Sequence, residues 1–342
     1  MRDAVPMTFD TLPRDAAVQL ARYARLASGA HAPNTERAIR ADMRVFLAWA
    51  RAQGVAALPA APETVALFIR DRAQAKALGT VVRYTRSIAK IHAAAGLANP
   101  CESDAVTLAL KAVRRANRRD QHQARGLTWA VLSRLIEFFA TSAEPIEQRD
   151  LAMVALAYNT LARRGELLTI RRDDIDFRGK RIRLRRHKTA GQGASSFWYP
   201  LRPETLTLLQ AWLATAAITE GYVFRGVDRH GNIGTPLVAG RADAGYVVAA
   251  AIRRLIARYN HDAPAEKQIE STGFSGHSPR IGASQDLMAA GFGMPEIMQA
   301  GAWTDPRTVA RYTERIDSAR GAMARLAERQ ARDGAGGDAR DP

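Results

Sequence analysis

The sequence predicts a mainly α-helical protein of two domains: an all-helical N-terminal domain, and an α-rich C-terminal domain with a small antiparallel β-sheet. Three observations lead there. Apolar residues recur at helical spacing through most of residues 34–113, a basic and apolar-poor stretch then divides the chain, and between Ile175 and Pro200 the period shortens to two. With 342 residues the chain has room for two domains that each bury a core. Its 47% hydrophobic and 25% charged residues are ordinary for a globular protein.

The first helix is expected over Asn34 to Gln53, where Ile39, Met43, Phe46, Leu47 and Ala50 share one face and Arg37, Arg40 and Arg44 the other. Pro62 to Ala75 and Thr80 to Ala95 follow the same period. The latter turns Arg83, Arg86 and Lys90 outward and is closed by Gly96. A fourth helix from about Ser103 runs into "KAVRRANRRDQHQARG", where Lys111, Arg114, Arg115, Arg118, Arg119 and Arg125 face a single acid, Asp120. Few apolar residues follow Val113, so this is a helix end passing into an exposed linker. The domain boundary is placed near Gln121, giving domains 1–121 and 122–342.

In the second half, helices are expected over Thr128 to Thr141 and Glu147 to Thr160. Ile175 and Phe177, a turn at Arg178 and Gly179, then Ile182 and Leu184 alternating with arginines predict a hairpin. Gly191 and Gly193 suit a loop before a third strand, about Ser196 to Pro200, which leaves Lys188 at the rim of the sheet. Helices resume from Glu204 and, after a Gly-rich loop from Gly226 to Gly240, from Ala244 to Tyr259. An amphipathic helix is expected over Ile281 to Gly291, opened by His277 and Arg280. The tail after Arg329 has the composition of disorder.

Charge balance is the outlier. Fifty Lys and Arg against 34 Asp and Glu give a formal net charge of +16, which favours a polyanionic partner, most often nucleic acid. A basic protein that merely stays soluble is the alternative. A solvated basic face on any one helix is ordinary, but arginine on three successive helices brings a fork geometry that suits phosphates and guanine edges. Cys101 is the only cysteine, which excludes an intrachain disulfide framework and a thiolate metal cluster and fits a reducing cytosol. The start, "MRDAVPMTFDTLPRD", lacks a signal peptide's apolar region, and no apolar run approaches the roughly 18 residues of a spanning helix. No membrane association is expected.

The chemistry-bearing residues lie in five places: Arg163 and Glu166 in "NTLARRGELLTI", Lys188 in the hairpin, His277 and Arg280 in "SGHSPRIGAS", Trp303 in "AGAWTD" and Tyr312 in "TVARYTER". Two arginines, a lysine and an imidazole converging on one point would trap a phosphoryl group whose equatorial oxygens gain charge in the transition state. A tyrosine beside them has a hydroxyl of pKa about 10 that cationic neighbours would activate as a nucleophile. That is phosphoryl transfer without a metal. Taken singly, each of these residues has a plainer reading: a helical His–Arg pair, a surface arginine, a solvated lysine, a core tryptophan, a helix tyrosine. The set, in this order on a basic chain, carries the inference.

At these residues the sequence resembles the tyrosine recombinase (phage integrase) family. The family signature is an arginine in an "R..E" box, a lysine in a β-hairpin, an "H..R" box, then His or Trp shortly before the nucleophilic tyrosine. Every position is filled here, with Trp303 where most members have histidine, and the likeness covers roughly Asn34 to Leu326. It implies the tyrosine recombinase fold: a SAM-like helical core-binding domain and a catalytic domain that together clamp duplex DNA at inverted-repeat sites.

By the same resemblance Tyr312 attacks the scissile phosphate, Arg163 and Arg280 hold its nonbridging oxygens, Lys188 protonates the leaving hydroxyl, and His277 assists proton transfer. Glu166 orients these cations and Trp303 supplies an indole N–H. No cofactor and no metal are implied. The helices of Arg37 and Arg83 would enter the major groove, with Arg40, Thr80, Arg86, Lys111, Arg114 and Arg229 as further DNA contacts. Departures from the family's pattern at Arg37, Arg83 and Leu237 to Val247 imply a target sequence of the chain's own.

Four protomers would exchange strands through a Holliday junction, joined by a C-terminal helix whose Met323 and Leu326 dock on a neighbour, in the cytoplasm at the nucleoid. The short stretch before Asn34 argues against an integrase with a separate arm-binding domain. Three alternatives stay open: a chromosome-dimer resolvase, an integrase needing a partner, and a DNA-binding protein without catalysis.

Overall fold

A computed structural model describes residues 14–27, 29–30, 33–116, 123–186, 195–237, 244–314, 323, 326–328 and 330–331. The linker around Gln121, the loop that carries Lys188 and most of the tail after Arg329 lie outside the described residues. The chain forms two compact units, Met1–His122 and Gln123–Pro342.

The described residues of the first unit hold five α-helices: α1 (Arg14–Leu26), α2 (Pro33–Gln53), α3 (Pro62–Ala75), α4 (Leu78–Ala94) and α5 (Asp104–Ala116). Pro62 opens α3, where its missing N–H costs nothing and its fixed φ suits the first turn. The apolar stripes bring α2 onto α4 and α3 onto α5. At their centre Phe46 and Phe68 are fully buried, edge to face at 4.9 Å, with Trp49 and Tyr84 around them. Each such ring contributes about 1.5–3 kcal/mol of transfer free energy. Helix α1 precedes the first expected helix. It has little apolar stripe to reveal it, since Val18 and Leu26 stay exposed and Ala16 is its buried residue.

Two buried polar groups in this unit are fully engaged. His92 lies in the core, where Nδ1–H donates to the Ile88 carbonyl and Nε2 accepts from the Ala60 N–H, both at 2.9 Å. This ties α4 to the entry of α3. Asp42 on α2 accepts from Ser87 Oγ and from the Arg83 guanidinium on α4, both at 2.8 Å.

The second unit is built round α7 (Pro145–Thr160), which follows α6 (Trp129–Phe138) and is buried along almost its whole length. A helix apolar on all sides must be covered on all sides. Here α9 (Pro203–Thr215), α10 (Ala244–Asp262) and α11 (Ser278–Ala289) cover it. The short α8 (Arg164–Leu168) leads into an antiparallel sheet of β1 (Ile175–Asp176), β2 (Arg181–Arg186) and β3 (Ser195–Pro200) in that order. Ile182 pairs with Tyr199 and Leu184 with Phe197, and the two-residue period sends Ile182 and Leu184 into the core while Arg181, Arg183 and Arg185 take the outer face. Helices α12 (Met294–Gly301) and α13 (Pro306–Thr313) complete the unit.

Two expectations need correction. The stretch expected as a loop from Gly226 contains a second sheet, β4 (Arg225–Val227) paired with β5 (Ile233–Pro236). Gly226, Gly234 and Pro236 are loop-forming types, and strands this short show no alternation. The helix expected from Ile281 begins at Ser278 with Pro279 in its first turn, and residues 278–284 are buried all round rather than amphipathic. Small residues allow this: a Cβ on Gly282 would sit 1.9 Å from the Leu127 carbonyl oxygen, so only glycine lets α11 lie against the segment before α6. Among the described residues no helix is long and apolar enough to cross a membrane.

His92 makes a stability test. Burial lowers its pKa below the ordinary 6.5, so on acidification the unfolded chain takes up a proton that the folded chain refuses. The stability held above pH 6.5 should therefore be lost as pH falls below that value. Urea unfolding of the intact chain should show a midpoint that drops on acidification, and a smaller drop in His92→Gln. Equal pH dependence in the two proteins would contradict this.

Candidate active site

Arg280 stands in the first turn of α11 and is buried, only 3% exposed. Its Nη1 donates to the carbonyl of Leu161 and its Nη2 to that of Gly301 at 2.6 Å. Leu161 caps the C-terminus of α7 in the left-handed conformation (φ 49°), and Gly301 ends α12 just before Ala302, also left-handed (φ 46°). Each helix end would otherwise leave carbonyls without a partner and a partial negative charge. Trp303 lays its ring 3.9 Å from the guanidinium carbon, a close cation–π contact. The buried charge is thus matched on three sides.

Arg163 is reached from the opposite direction. It precedes α8, where the Glu166 carboxylate accepts from the Arg163 backbone N–H at 2.8 Å and from its Nη1 at 2.8 Å. One carboxylate therefore caps the helix and orients the guanidinium. Nη2 of Arg163 donates to the Ala302 carbonyl at 3.2 Å. The arginines of "RRGE" and "HSPR", 117 positions apart in the sequence, so meet on the same three-residue turn, Gly301 to Trp303.

His277 sits one turn before Arg280. Burial lowers its pKa from 6.5, and the charges of Arg164, Arg280 and Arg163 lower it further, so the imidazole is neutral at pH 7. Trp303 meets the Tyr312 ring on α13 at 5.9 Å and 73°, an edge-to-face contact. Gln285 of α11 donates to the main-chain carbonyl of Tyr312 at 3.1 Å, which links the tyrosine's helix to that of Arg280.

Arg163, Glu166, His277, Arg280, Trp303 and Tyr312 are thus brought together, and Lys188 lies outside the described residues. Among the described residues no group of three or more His, Cys, Asp or Glu is placed to hold a metal ion. Gln285, Gly301 and the left-handed Ala302 were not singled out from sequence. Gln285 stands five residues after Arg280 and Gly301 and Ala302 open the "GAW" segment, but their contacts depend on tertiary approach.

The expected DNA contacts fare differently. Arg86, Lys111, Arg114 and Arg229 are exposed and Thr80 partly so. Arg37 is held by the Asn34 side chain at 2.7 Å, Arg40 by Glu36 at 3.4 Å, and Arg229 donates to His230 at 2.9 Å. Arg83 projects from α4 with its side chain half-exposed and pairs with the buried Asp42. A carboxylate taken into the core needs a cation, and Arg83 supplies it.

The model of the phage integrase family matches residues 125–318, which span all six of the described site residues. The chain belongs to the phage integrase family, the tyrosine recombinases. It is similar to the recombinase Cre of Escherichia phage P1, with 29% identity over 312 residues that cover 87% of this chain and 89% of the relative. An integrase/recombinase XerD homolog of Selenomonas ruminantium is 27% identical over 294 residues, 83% of this chain and 82% of the relative. Among solved structures, the Tn1549 transposon integrase in complex with transposon right-end DNA shares the fold at a TM-score of 0.60 and 18% identity, covering 90% of this chain and 99% of that one. A lambda integrase dimer bound to a core site gives 0.55 and 14%, covering 87% and 76%.

In this tyrosine recombinase the turn after α12 leaves no room for a side chain at its hinge. A Cβ on Gly301 would fall 1.9 Å from a carbon of the Trp303 ring. Gly301→Ala should therefore displace the indole from Arg280 and Tyr312 and cost about 1–3 kcal/mol, as overpacking generally does. A lowered urea midpoint with an altered near-ultraviolet tryptophan spectrum is expected, and an unchanged midpoint would contradict the packing described.

Proposed function

We propose that this recombinase cuts and rejoins duplex DNA at inverted-repeat sites through a 3′-phosphotyrosyl link to Tyr312, with the first unit as a core-binding domain and the second as the catalytic domain. The observation that carries the reading is the chain of contacts running from Glu166 through Arg163 and the turn at Ala302 to Arg280, Trp303 and Tyr312.

In the cleavage step the Tyr312 oxygen attacks the scissile phosphorus, the bond to the 5′-oxygen breaks, and a tyrosyl–phosphorus bond takes its place. Arg163 and Arg280 hold the nonbridging oxygens with charge-assisted bonds as charge accumulates on them. The tyrosine proton leaves to a base, for which the neutral His277 is suited. Lys188 gives its proton to the departing 5′-oxygen. Trp303 backs Arg280 and offers its indole N–H, and Glu166 keeps Arg163 in register. The link conserves the phosphodiester's energy, so attack by another strand's 5′-hydroxyl reverses the chemistry and joins the exchanged strands, and neither step consumes a cofactor.

Four protomers would act on two synapsed sites through a Holliday junction. Met323 and Leu326, exposed in this chain, support a C-terminal helix that docks on a neighbouring protomer. The DNA-reading set is Arg37, Arg40, Thr80, Arg83, Arg86, Lys111, Arg114 and Arg229, with Arg83 presented by Asp42. At 29% identity to the phage P1 recombinase the target sequence is the chain's own. The place of action is cytoplasmic DNA at the nucleoid.

The test is cleavage of nicked duplexes carrying candidate repeats, by the unaltered chain and by Tyr312→Phe. A denaturant-resistant protein–DNA adduct is expected only with the unaltered chain. Tight binding without an adduct on any bound duplex would turn the reading to a DNA-binding protein without catalysis, and an adduct retained by Tyr312→Phe would assign another nucleophile.

A further inference from the structure

The outer face of β2 is strongly basic. Residues 171–186 hold eight Lys or Arg against three Asp. Because side chains alternate along a strand, Arg181, Arg183 and Arg185 project from one side, about 6.7 Å from one to the next. Trp198 of β3 pairs across from Arg183 on that same side and is half-exposed.

These arginines are ordered without being buried. Asp174, itself 1% exposed, accepts from the Arg171 backbone N–H through one oxygen at 3.0 Å. Its other oxygen receives Arg183 Nε at 3.1 Å and Arg185 Nη2 at 2.9 Å. Arg181 donates to Asp176 at 2.9 Å and lays its guanidinium 4.6 Å from the Trp198 ring centre. The three heads nonetheless remain 35–50% exposed. A buried carboxylate and an aromatic ring therefore hold a row of cations at the surface, so a ligand meets them with much of the ordering entropy already lost.

We propose that this face is a second phosphate-binding surface for duplex DNA, separate from the cation cluster around Arg280. Three partly exposed guanidinium groups on one strand face, two of them held on a single carboxylate oxygen, complement a polymer of anions better than they complement one acidic side chain. A DNA strand carries a phosphate about every 3.4 Å along its axis. All three positions are arginine, whose fork suits phosphate oxygens. The inference rests on the reading of the chain as a DNA recombinase and deepens it. In that reading Lys188 acts at the scissile phosphate, and β2 ends two residues before Lys188 in the sequence.

The experiment is fluorescence anisotropy of a labelled duplex of arbitrary sequence with the full chain across a salt series, which needs no knowledge of the target site. Each phosphate contact contributes about 0.9 to the slope of log affinity against log salt. Arg181→Gln removes a head whose partner Asp176 lies at the surface, so the fold is not at risk, and the slope should fall by about 0.9. Arg183→Gln with Arg185→Gln is combined with Asp174→Asn to leave no uncompensated buried carboxylate. Added to Arg181→Gln, it should lower the slope by about 2.7 in all.

Circular dichroism checks that the variants are folded. An unchanged slope in folded variants, with or without a change in self-association, would overturn the proposal and leave the recombinase reading standing. Failure of the unaltered chain to bind duplex DNA at all would remove both.

Discussion

The candidate site of the second unit is organised round one buried cation, Arg280. A guanidinium taken out of water is costly unless its charge and its donors are met, and Arg280 is met by two helix C-termini and an indole face. The left-handed residues Leu161 and Ala302 end α7 and α12 abruptly enough to turn their last carbonyls towards it. Two segments distant in sequence, at Leu161 and at Gly301 to Trp303, thereby share a single partner. Removing that side chain would withdraw its donors from carbonyls at the ends of two helices, so a structural role accompanies the chemical one proposed for it.

From that anchor the other groups take their places at low cost. Arg163 reaches the same turn one carbonyl further on, already held by Glu166, and Trp303 passes from Arg280's face to Tyr312's edge. Several positive charges held close together repel one another, and after burial itself the charges of Arg164, Arg280 and Arg163 depress the basicity of His277. In the proposed function an arriving phosphate would relieve that repulsion, most of all when charge builds on its oxygens, as a preorganised site does when it favours a transition state over its ground state. The same device recurs on a smaller scale at Asp42 with Arg83 and at Asp174 with Arg183 and Arg185, where a buried acid fixes an outward arginine.

Much of this was visible in the sequence. Helices α2 to α5 follow from apolar periodicity, and β2 with β3 from the alternation of Ile182 and Leu184 with arginines. The candidate site residues are named from motif order and family resemblance, and the structure brings the six described ones together. What sequence concealed was whatever depends on approach between distant segments. The burial of Arg280, the pairing of Arg83 with the buried Asp42 and the short β4–β5 pair leave no pattern in the sequence long enough to register. Gly282 and Gly301 are unremarkable letters until the Leu127 carbonyl and the Trp303 ring are seen against them.

The claim at the centre is that this constellation serves the hydroxyl of Tyr312. The most direct measurement is protease digestion of the trapped protein–DNA complex, followed by mass spectrometry of the peptide that remains joined to the nucleotide. A peptide from α13 with Tyr312 linked to a 3′-phosphate is the expected result. Linkage through any other residue, or through a 5′-phosphate, would contradict it.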